Sequence, residues 1–280
     1  MFPLHARLVA ARARSWLFTP GTRPDRFANA SKHGADVLIV DLEDAVPPNE
    51  KRLARDNARV LFGRARDAAP LVAVRINSIA SRHGLDDLAL VADAVQPPDF
   101  VLLPKIESPD PVAQAAALLG AAGRAAALIP MIESARGMFA AAAIAGAGPC
   151  VWGLMFGAAD YASDVGAQPG ARALELARCT VAAAAASAGV RAIDAPCFAL
   201  HEPDALRAEL DFAVDNGLHA KAAIHPAHAG AINAAFTPSP ARIAWARDVL
   251  AASERGAGVV AGRMVDEAIA REARRVLAGV

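Results

Sequence analysis

Short apolar runs that alternate with alanine-rich stretches constrain the fold of this chain more than any other feature. Most of these runs do not alternate polar with apolar residues, which indicates strands buried on both faces, as in parallel sheets. Intervening stretches such as Pro111–Ala122 and Ala171–Ala188 have the length and composition of helices. The predicted strands cover residues 15–19, 36–42, 71–76, 100–103, 127–132, 151–156, 190–193 and 220–224.

Eight strand–helix units in about 230 residues predict an α/β fold of the TIM (β/α)8 barrel type. A doubly wound open sheet is the alternative, but no glycine-rich nucleotide-binding turn follows the first strand. We expect residues 1–236 to form the barrel, which is the catalytic domain. Residues 237–280 are expected to form a helical C-terminal extension, because Pro238 and Pro240 interrupt the pattern there.

The composition excludes several classes of protein. Because 29 basic residues balance 29 acidic residues, bulk charge does not hold this chain on nucleic acid. The uncharged stretch 137–159 is interrupted by glycines and a proline at 146–149, so it predicts a buried helix, a turn and a buried strand rather than a membrane span. Three cysteines are too few for a disulfide framework or a zinc cage. We therefore expect a cytoplasmic protein that binds neither nucleic acid nor membrane.

Charged and polar residues follow the predicted strands at the points where the strands end. In a (β/α)8 barrel these ends lie on one rim, where active sites form, so the pattern predicts a single pocket. Strand ends and helix caps also need polar residues, but that explains one or two such positions better than the whole set. The residues are Asp41, Glu43, Asp44, Arg75, Asn77, Lys105, Glu107, Glu133, Asp160, Asp194 and His225.

Two of these carboxylates, Glu133 and Asp160, indicate a magnesium site. They follow adjacent strands and have no nearby cysteine or paired histidine, which suits Mg²⁺ better than zinc. Arg75 offers a forked donor to a carboxylate or carbonyl of the substrate. Water molecules around the metal are expected to be held by three further acids, Asp41, Glu43 and Asp44.

Other rim residues have simpler explanations. Lys105 lies among acids, so an ion pair with Glu107 or another rim acid is preferred over a Schiff base. His225 and His228 are expected to cap a helix or pack in the core rather than act as general bases.

Several ordered motifs occur at these strand ends. They are Arg14-Ser-Trp-Leu-Phe-Thr-Pro-Gly21, Asp41-Leu-Glu-Asp-Ala-Val46, Arg75-Ile-Asn77, Pro104-Lys105, Met131-Ile-Glu-Ser134, Phe156-Gly-Ala-Ala-Asp160 and Ile224-His-Pro226. As an ordered set, within a match that spans about residues 14–277, they resemble the citrate lyase β-subunit-like family of the HpcH/HpaI aldolase superfamily. The resemblance implies a TIM barrel, a Mg²⁺ site and reversible carbon–carbon cleavage of an acyl thioester.

The resemblance also implies roles for individual residues. Glu133 and Asp160 match the metal ligands, and Arg75 matches a substrate-binding arginine. The backbone amides of two further residues, Gly157 and Ala158, lie where family members hold the carboxylate of a keto acid. Arg14 matches an arginine near the CoA phosphates.

The C-terminal segment adds a more specific match. Gly262-Arg-Met-Val-Asp266 and the arginines that follow resemble the tail of malyl-CoA and citramalyl-CoA lyases. In those relatives the aspartate equivalent to Asp266 reaches the active site of a neighbouring subunit, so the resemblance implies a homo-oligomer, a trimer or a hexamer. The chain departs from the family pattern at three positions, Ala220, His228 and Ala268, which leaves the subfamily open.

We therefore predict a Mg²⁺-dependent lyase with Arg75 and Asp266 as catalytic residues. It would cleave, or form by condensation, a 3-hydroxyacyl-CoA such as malyl-CoA, citramalyl-CoA or citryl-CoA, and the products would be a 2-keto acid and a short acyl-CoA. One alternative is the β subunit of a citrate lyase complex that acts on a carrier-protein thioester. Another is a thioesterase that hydrolyses malyl-CoA in the same site.

Overall fold

The structure, a computed structural model, describes residues 13–65, 69–123, 127–168, 170–254, 258–260 and 262–278. Eight parallel strands close into a barrel in chain order, and β1 pairs with both β2 and β8. The strands are β1 (Ser15–Pro20), β2 (Val37–Asp41), β3 (Leu71–Arg75), β4 (Phe100–Leu103), β5 (Ala127–Ile132), β6 (Gly153–Phe156), β7 (Arg191–Asp194) and β8 (Ala220–Ala223). The predicted (β/α)8 barrel is confirmed, and the open sheet is excluded.

Helices surround the barrel. Among the described residues, no helix combines the length and the apolar composition that a membrane span requires. The helices are α1 (Asn29–Lys32), α2 (Lys51–Phe62), α3 (Arg82–Ala92), α4 (Pro109–Ala121), α5 (Ala135–Ala145), α6 (Ala158–Val165), α7 (Arg172–Ser187), α8 (Pro203–Asp215), α9 (His228–Ala235), α10 (Pro240–Ser253) and α11 (Glu267–Ala278). Two short 3₁₀ turns cover Pro24–Arg26 and Pro48–Glu50.

Both faces of the barrel strands are buried, which explains the continuous apolar runs. In β2, Ile39 packs inside the barrel, whereas Leu38 and Val40 pack outside against the helices. Three aromatic rings, those of Trp16, Phe100 and Trp152, pack together inside the barrel with centroids 4.8 to 5.7 Å apart. Trp16 and Phe100 lie at the start of β1 and β4, and Trp152 immediately precedes β6. The rings therefore fill the amino end of the barrel, and the site forms at the carboxyl end.

The uncharged stretch divides as predicted, because α5 ends at Ala145 and β6 begins at Gly153. The C-terminal segment differs from the expectation of helices alone. Between α10 and α11 it contains an antiparallel hairpin of β9 (Gly258–Val260) and β10 (Arg263–Val265). Gly262, with a φ of +74°, lies in the turn. Val265 of this hairpin packs against α10 and α11 in a small core of its own.

Candidate active site

A cavity of about 390 Å³ opens at the carboxyl end of the barrel. Its walls come mainly from the ends of β2, β3, β5 and β6 and from the residues that follow them. Seven of the residues predicted to form the site line this cavity: Asp41, Asp44, Arg75, Glu133, Gly157, Ala158 and Asp160. The rim therefore gathers most of the predicted site in one place.

The buried Arg75 and Asp41 form the base of this site. The register of β2 on β3 places them side by side. Arg75 Nε donates to Asp41 Oδ1 at 2.8 Å and Nη2 donates to Oδ2 at 2.5 Å, while Nη1 lies 3.0 Å from Glu43 Oε2. Burial alone lowers the pKa of the Arg75 guanidinium, but the neighbouring carboxylates outweigh burial and raise this pKa.

This arrangement changes the expected contact between Arg75 and substrate. Asp41 occupies the edge formed by Nε and Nη2, so a forked contact with substrate would use the edge formed by Nη1 and Nη2, and this role stays a prediction. A guanidinium has five N–H donors, and the hydrogen bonds to Asp41 engage two of them, while the contact with Glu43 is an ion pair without a hydrogen bond. The remaining donors belong to a side chain that lines the cavity.

Lys105 connects two parts of the rim. Its Nζ donates to Glu43 and lies 3.4 Å from Asp44, so the expected ion pair forms with rim acids other than Glu107. Its φ is +55°, a left-handed conformation that a lysine rarely adopts. With this backbone, the Lys105 N–H donates to Glu133 Oε1 at 2.5 Å. Lys105 therefore holds Glu43 through its side chain and Glu133 through its main chain.

The two carboxylate oxygens of the buried Glu133 have different surroundings. Oε1 accepts the Lys105 amide, whereas the buried Oε2 has no hydrogen-bond partner among the described residues. Burial raises the pKa of Glu133 to about 7, and the negative charges of Glu43 and Asp160 act in the same direction. The anionic form of Glu133 is thus less favoured than that of an ordinary glutamate, and a cation beside Oε2 would stabilise it.

The turn from β6 into α6 places the second predicted metal ligand. Gly157 precedes α6, and Asp160 lies in the first turn of that helix. A Cβ on Gly157 would lie 2.5 Å from Glu133 Oε2, so only glycine permits this close approach. The Gly157 N–H donates to Ile132 O at 3.0 Å, so it does not face a substrate carboxylate as predicted. The amides of the first turn, at residues 158–160, have no intrahelical acceptor and are better placed for that role.

Arg14 is separated from this rim. It precedes β1 at the amino end of the barrel, and its guanidinium pairs with Asp36 at 2.9 Å and donates to Thr237 at 2.6 Å. A contact with a substrate held at the carboxyl end would have to span the barrel. The expected contact of Arg14 with CoA phosphates is therefore not supported within one chain.

Two other residues at or just after strand ends, Asp194 and His225, are absent from the described lining of this cavity. Asp194, at the end of β7, is bound by Arg178 and by Lys221 Nζ at 2.7 Å. His225, after β8, accepts a hydrogen bond from Ala227 N at 3.3 Å just before α9, which agrees with a capping role. The polar rim thus contains separate groups rather than one pocket.

Asp266 begins the last helix. Its Oδ1 accepts a hydrogen bond from Ile269 N at 3.0 Å, so it caps α11, and its side chain is exposed. It is absent from the described lining of the rim cavity. Within one chain the structure does not bring Asp266 to Glu133, and its catalytic role stays a prediction.

Sequence reasoning missed parts of the site that depend on backbone geometry. The Lys105 amide reaches Glu133 only because of the left-handed φ at that position. Ala159 lines the cavity because it lies in the first turn of α6, and the exposed Arg26 lines it from the side of β1. The available signal for Arg26 was a basic residue five positions after the motif that ends at Gly21, and it is not specific.

The donor set fits a hard divalent cation. Glu133 and Asp160 both line the cavity, and Glu133 Oε2 is a buried oxygen with no described partner. Carboxylate oxygens are the ligands that Mg²⁺ prefers. The described part of the chain holds no group of three or more His, Cys, Asp or Glu residues suited to a metal, so a cation here would take its other ligands from water or substrate.

Comparisons with known proteins agree with this geometry. The family described as HpcH/HpaI aldolase/citrate lyase matches residues 14–226. The (3S)-malyl-CoA thioesterase of Cereibacter sphaeroides (strain ATCC 17025 / ATH 2.4.3) is 34% identical over 273 residues, which is 95% of this chain and 93% of that protein. The L-malyl-CoA/beta-methylmalyl-CoA lyase of Rhodobacter capsulatus is 31% identical over 296 residues, with 94% and 93% covered.

A solved structure is similar over nearly the whole chain. It is the protein CitE of Mycobacterium tuberculosis in complex with magnesium, acetoacetate and coenzyme A. The sequences are 33% identical, the TM-score is 0.80, and the match covers 96% of this chain and 98% of that one.

Proposed function

Because the chain belongs to the HpcH/HpaI aldolase/citrate lyase family, we propose that it is a Mg²⁺-dependent lyase of 3-hydroxyacyl-CoA thioesters. Its substrates would include malyl-CoA, citramalyl-CoA or citryl-CoA, and its products a 2-keto acid and a short acyl-CoA. The observation that carries this proposal is the buried Glu133 Oε2, which has no described protein partner, in a cavity shared with Asp160. The magnesium and coenzyme A held by CitE support it.

The proposed reaction needs a base, a site for an anion and a means of stabilising an enolate. A base takes the proton of the hydroxyl on the carbon β to the thioester, and the bond between the α and β carbons breaks. The electron pair of that bond forms the thioester enolate, which gains a proton at the α carbon. The β carbon becomes the carbonyl of the keto acid, so no redox partner is needed.

Residues of this chain have distinct parts in that sequence. Mg²⁺ held by Glu133 and Asp160 supplies a Lewis acid that stabilises negative charge on substrate oxygens. The first-turn amides of α6, over residues 158–160, bind the carboxylate of the keto acid. Arg75 holds Asp41 and Glu43 in place and contacts substrate with its remaining donors. Lys105 fixes the direction of Glu133.

The proton transfer is assigned to Asp266 of a second copy of the chain. Its side chain is exposed at the start of α11, on the segment that follows the barrel. We therefore include a homo-oligomer, a trimer or a hexamer, and a cytoplasmic location in the proposal.

The test is to incubate the purified protein with each of the three thioesters, with Mg²⁺ and with a chelator, and to follow both products. We expect Mg²⁺-dependent release of a keto acid together with an acyl-CoA. No metal-dependent turnover of any of the three would overturn the proposal.

A malyl-CoA thioesterase is the second candidate, favoured by the 34% identity to the Cereibacter protein of that name. Hydrolysis would give free CoA and malate, without glyoxylate. Thiol titration and keto-acid detection on the same reaction distinguish the two functions.

A further inference from the structure

A second and larger cavity, of about 730 Å³, lies beside the active-site cavity. Its walls come from α6, α7, α8 and the segment that follows β7. The two cavities share five lining residues, Phe156, Ala158, Ala159, Pro196 and Phe198. The start of α6, to which we assign the carboxylate of the keto acid, therefore borders both cavities.

Four of the five charged residues that line the second cavity pair with one another, and the fifth, Glu175, is exposed. Arg178 donates to both oxygens of Asp194 at 2.9 and 2.6 Å. Lys221 Nζ donates to Asp194 at 2.7 Å, to Ala195 O at 2.7 Å and to Glu209 at 2.6 Å. An ammonium has three donors, so Lys221 is saturated. This cluster of two acids and two bases has no net charge, and the exposed Glu175 adds one negative charge, so the lining does not attract an anionic group.

The remaining walls are mostly apolar and small. The larger apolar side chains are those of Phe156, Leu174, Phe198 and Phe212, and the others are mainly alanines, Ala162, Ala167, Ala171, Ala199 and Ala208. The side chain of Phe198 is exposed, at 55%. The volume lies within the range of about 300–1,000 Å³ typical of small-molecule sites. Such walls favour an uncharged, apolar group.

We propose that the second cavity is a side-chain pocket for the acid substrate. It receives an apolar substituent on the keto carbon, so the enzyme uses 2-keto acids with branched or aromatic side chains as well as small ones. This inference rests on the proposed lyase function. The acid rather than the thioester is assigned to this side because the shared wall contains the start of α6.

The condensation direction tests this proposal directly. The methyl carbon of acetyl-CoA bonds to the keto carbon, and the proton lost from the methyl group is balanced by one gained on the keto oxygen. Purified protein with Mg²⁺ and acetyl-CoA is given glyoxylate, pyruvate, 4-methyl-2-oxopentanoate or phenylpyruvate. We expect kcat/KM with the two large acids to equal or exceed the value with glyoxylate.

Substitutions that fill the cavity provide the specific readout. Ala208→Phe places a ring in the cavity from the exposed side of α8, so the barrel core is not disturbed. We expect it to lower kcat/KM for the large acids about tenfold or more and to change the value for glyoxylate less than about twofold. Ala171→Leu is a second variant with the same expectation. Ala183→Phe, at an exposed position of α7 outside the described lining, is the matched control.

Binding is measured separately by saturation-transfer NMR with 4-methyl-2-oxopentanoate alone. If glyoxylate or pyruvate is turned over but the large acids are neither used nor bound, the pocket is refuted while the lyase function stands. If no acid is turned over, the lyase function fails. In that case, binding of 4-methyl-2-oxopentanoate to the wild type that is lost in Ala208→Phe would still support the pocket. No binding of this acid to the wild type would overturn it.

Light scattering tests the remaining explanation. If Ala208→Phe lowers turnover of every acid and changes the molar mass of the assembly, the cavity is a contact between copies of the chain and the proposal is wrong.

Discussion

Glu133 combines one oxygen that is held by a hydrogen bond with one that has no partner in the described part of the chain. The Lys105 amide holds Oε1 at 2.5 Å, while the buried Oε2 has no hydrogen-bond partner among the described residues. Burial and the charges of Glu43 and Asp160 raise the pKa of Glu133 to about 7. A proton and a divalent cation are therefore competing ligands for the same carboxylate.

This competition predicts a pH dependence of metal binding. A raised pKa means that Glu133 is protonated below about pH 7 and must lose a proton before it binds Mg²⁺. We expect the affinity to fall about tenfold per pH unit below pH 7 and to be nearly constant above it. Isothermal titration calorimetry from pH 5.5 to 8.5 measures the profile.

Two amide variants complete that experiment. Glu133→Gln should bind Mg²⁺ weakly at every pH and lose about 10²-fold or more in activity. Glu107→Gln is the control, since Glu107 accepts a hydrogen bond from Ser134 Oγ at 2.7 Å and does not line the described cavity. A wild-type affinity that does not change between pH 6 and 8 would contradict the assignment of Glu133.

Lys105 offers a separate test, of backbone strain. Its φ of +55° is costly for any residue with a Cβ. Lys105→Gly and Lys105→Ala both remove the ammonium from Glu43, but only alanine keeps the strain. We expect the glycine variant to be more stable by about 1 kcal/mol, measured by urea unfolding.

The same pair of substitutions at Arg59, an exposed position of α2, provides the control, because the backbone there is helical. In a helix, glycine should be less stable than alanine by about 1 kcal/mol. If glycine is also less stable than alanine at position 105, the left-handed backbone there is not a feature of the folded protein in solution.

At the scale of elements, the junction of β6 and α6 fits closely against β5. The register pairs Ile132 with Phe156, so Gly157 lies beside Glu133. Gly157→Ala would place Cβ 2.5 Å from Glu133 Oε2 and 2.6 Å from Glu133 Cβ. We expect a loss of about 1–3 kcal/mol in the free energy of unfolding and at least tenfold weaker Mg²⁺ binding.

Gly146→Ala is the matched control for that substitution. It follows α5 at a negative φ, and the nearest atom to its added Cβ lies 3.6 Å away. Its stability should therefore change little, and its metal affinity not at all. Equal effects of the two substitutions on Mg²⁺ binding, read by the same calorimetry, would mean that the close approach at Gly157 does not matter.

The extent to which sequence predicts these elements follows from burial. Strands buried on both faces leave long apolar runs, so the eight barrel strands are recognisable within one or two residues. The hairpin of β9 and β10 has only three residues per strand and no periodicity to detect. The first predicted residue of the β6 run, Val151, forms only an isolated bridge with Leu128.

Site residues are predictable by type and rim position but not by partner. The carboxylates that line the cavity were identified because they follow strands, yet the edge of Arg75 that binds Asp41 depends on strand register. Gly157 was noticed for its amide, whereas the structure requires its lack of a side chain. Asp194 also lies at a strand end, but it does not line the active-site cavity, because Arg178 of α7 and Lys221 of β8 bind it.

At the scale of the whole molecule, the C-terminal segment contributes no residue to the described lining of the active-site cavity in its own chain. α10, the hairpin and α11 pack on one another, with Val265 in their shared core. Val259 and Met264 of the hairpin are exposed apolar side chains, and Asp266 follows them. If this surface of one copy packs on a neighbouring copy, Asp266 of the first copy would lie close to the active site of the neighbour. This is the arrangement we propose.

Asp266 also caps α11, so a variant must separate the cap from the charge. Asparagine is as good a helix cap as aspartate, and Asp266→Asn keeps the contact with Ile269 N while it removes the charge. If the carboxylate transfers protons, Asp266→Asn should be nearly inactive with an unchanged melting temperature. If Asp266 only caps the helix, Asp266→Asn should have close to wild-type activity.

Mixing two inactive variants tests whether the tail acts on a neighbour. A mixed oligomer of Asp266→Asn and Glu133→Gln contains some sites with an intact Glu133 from one chain and an intact Asp266 from another. Random exchange of equal amounts should restore activity at about a quarter of the sites. Native mass spectrometry verifies that exchange has occurred, and each parent alone is the control. If mixed oligomers form and activity does not return, Asp266 either acts within its own chain or takes no part in the reaction.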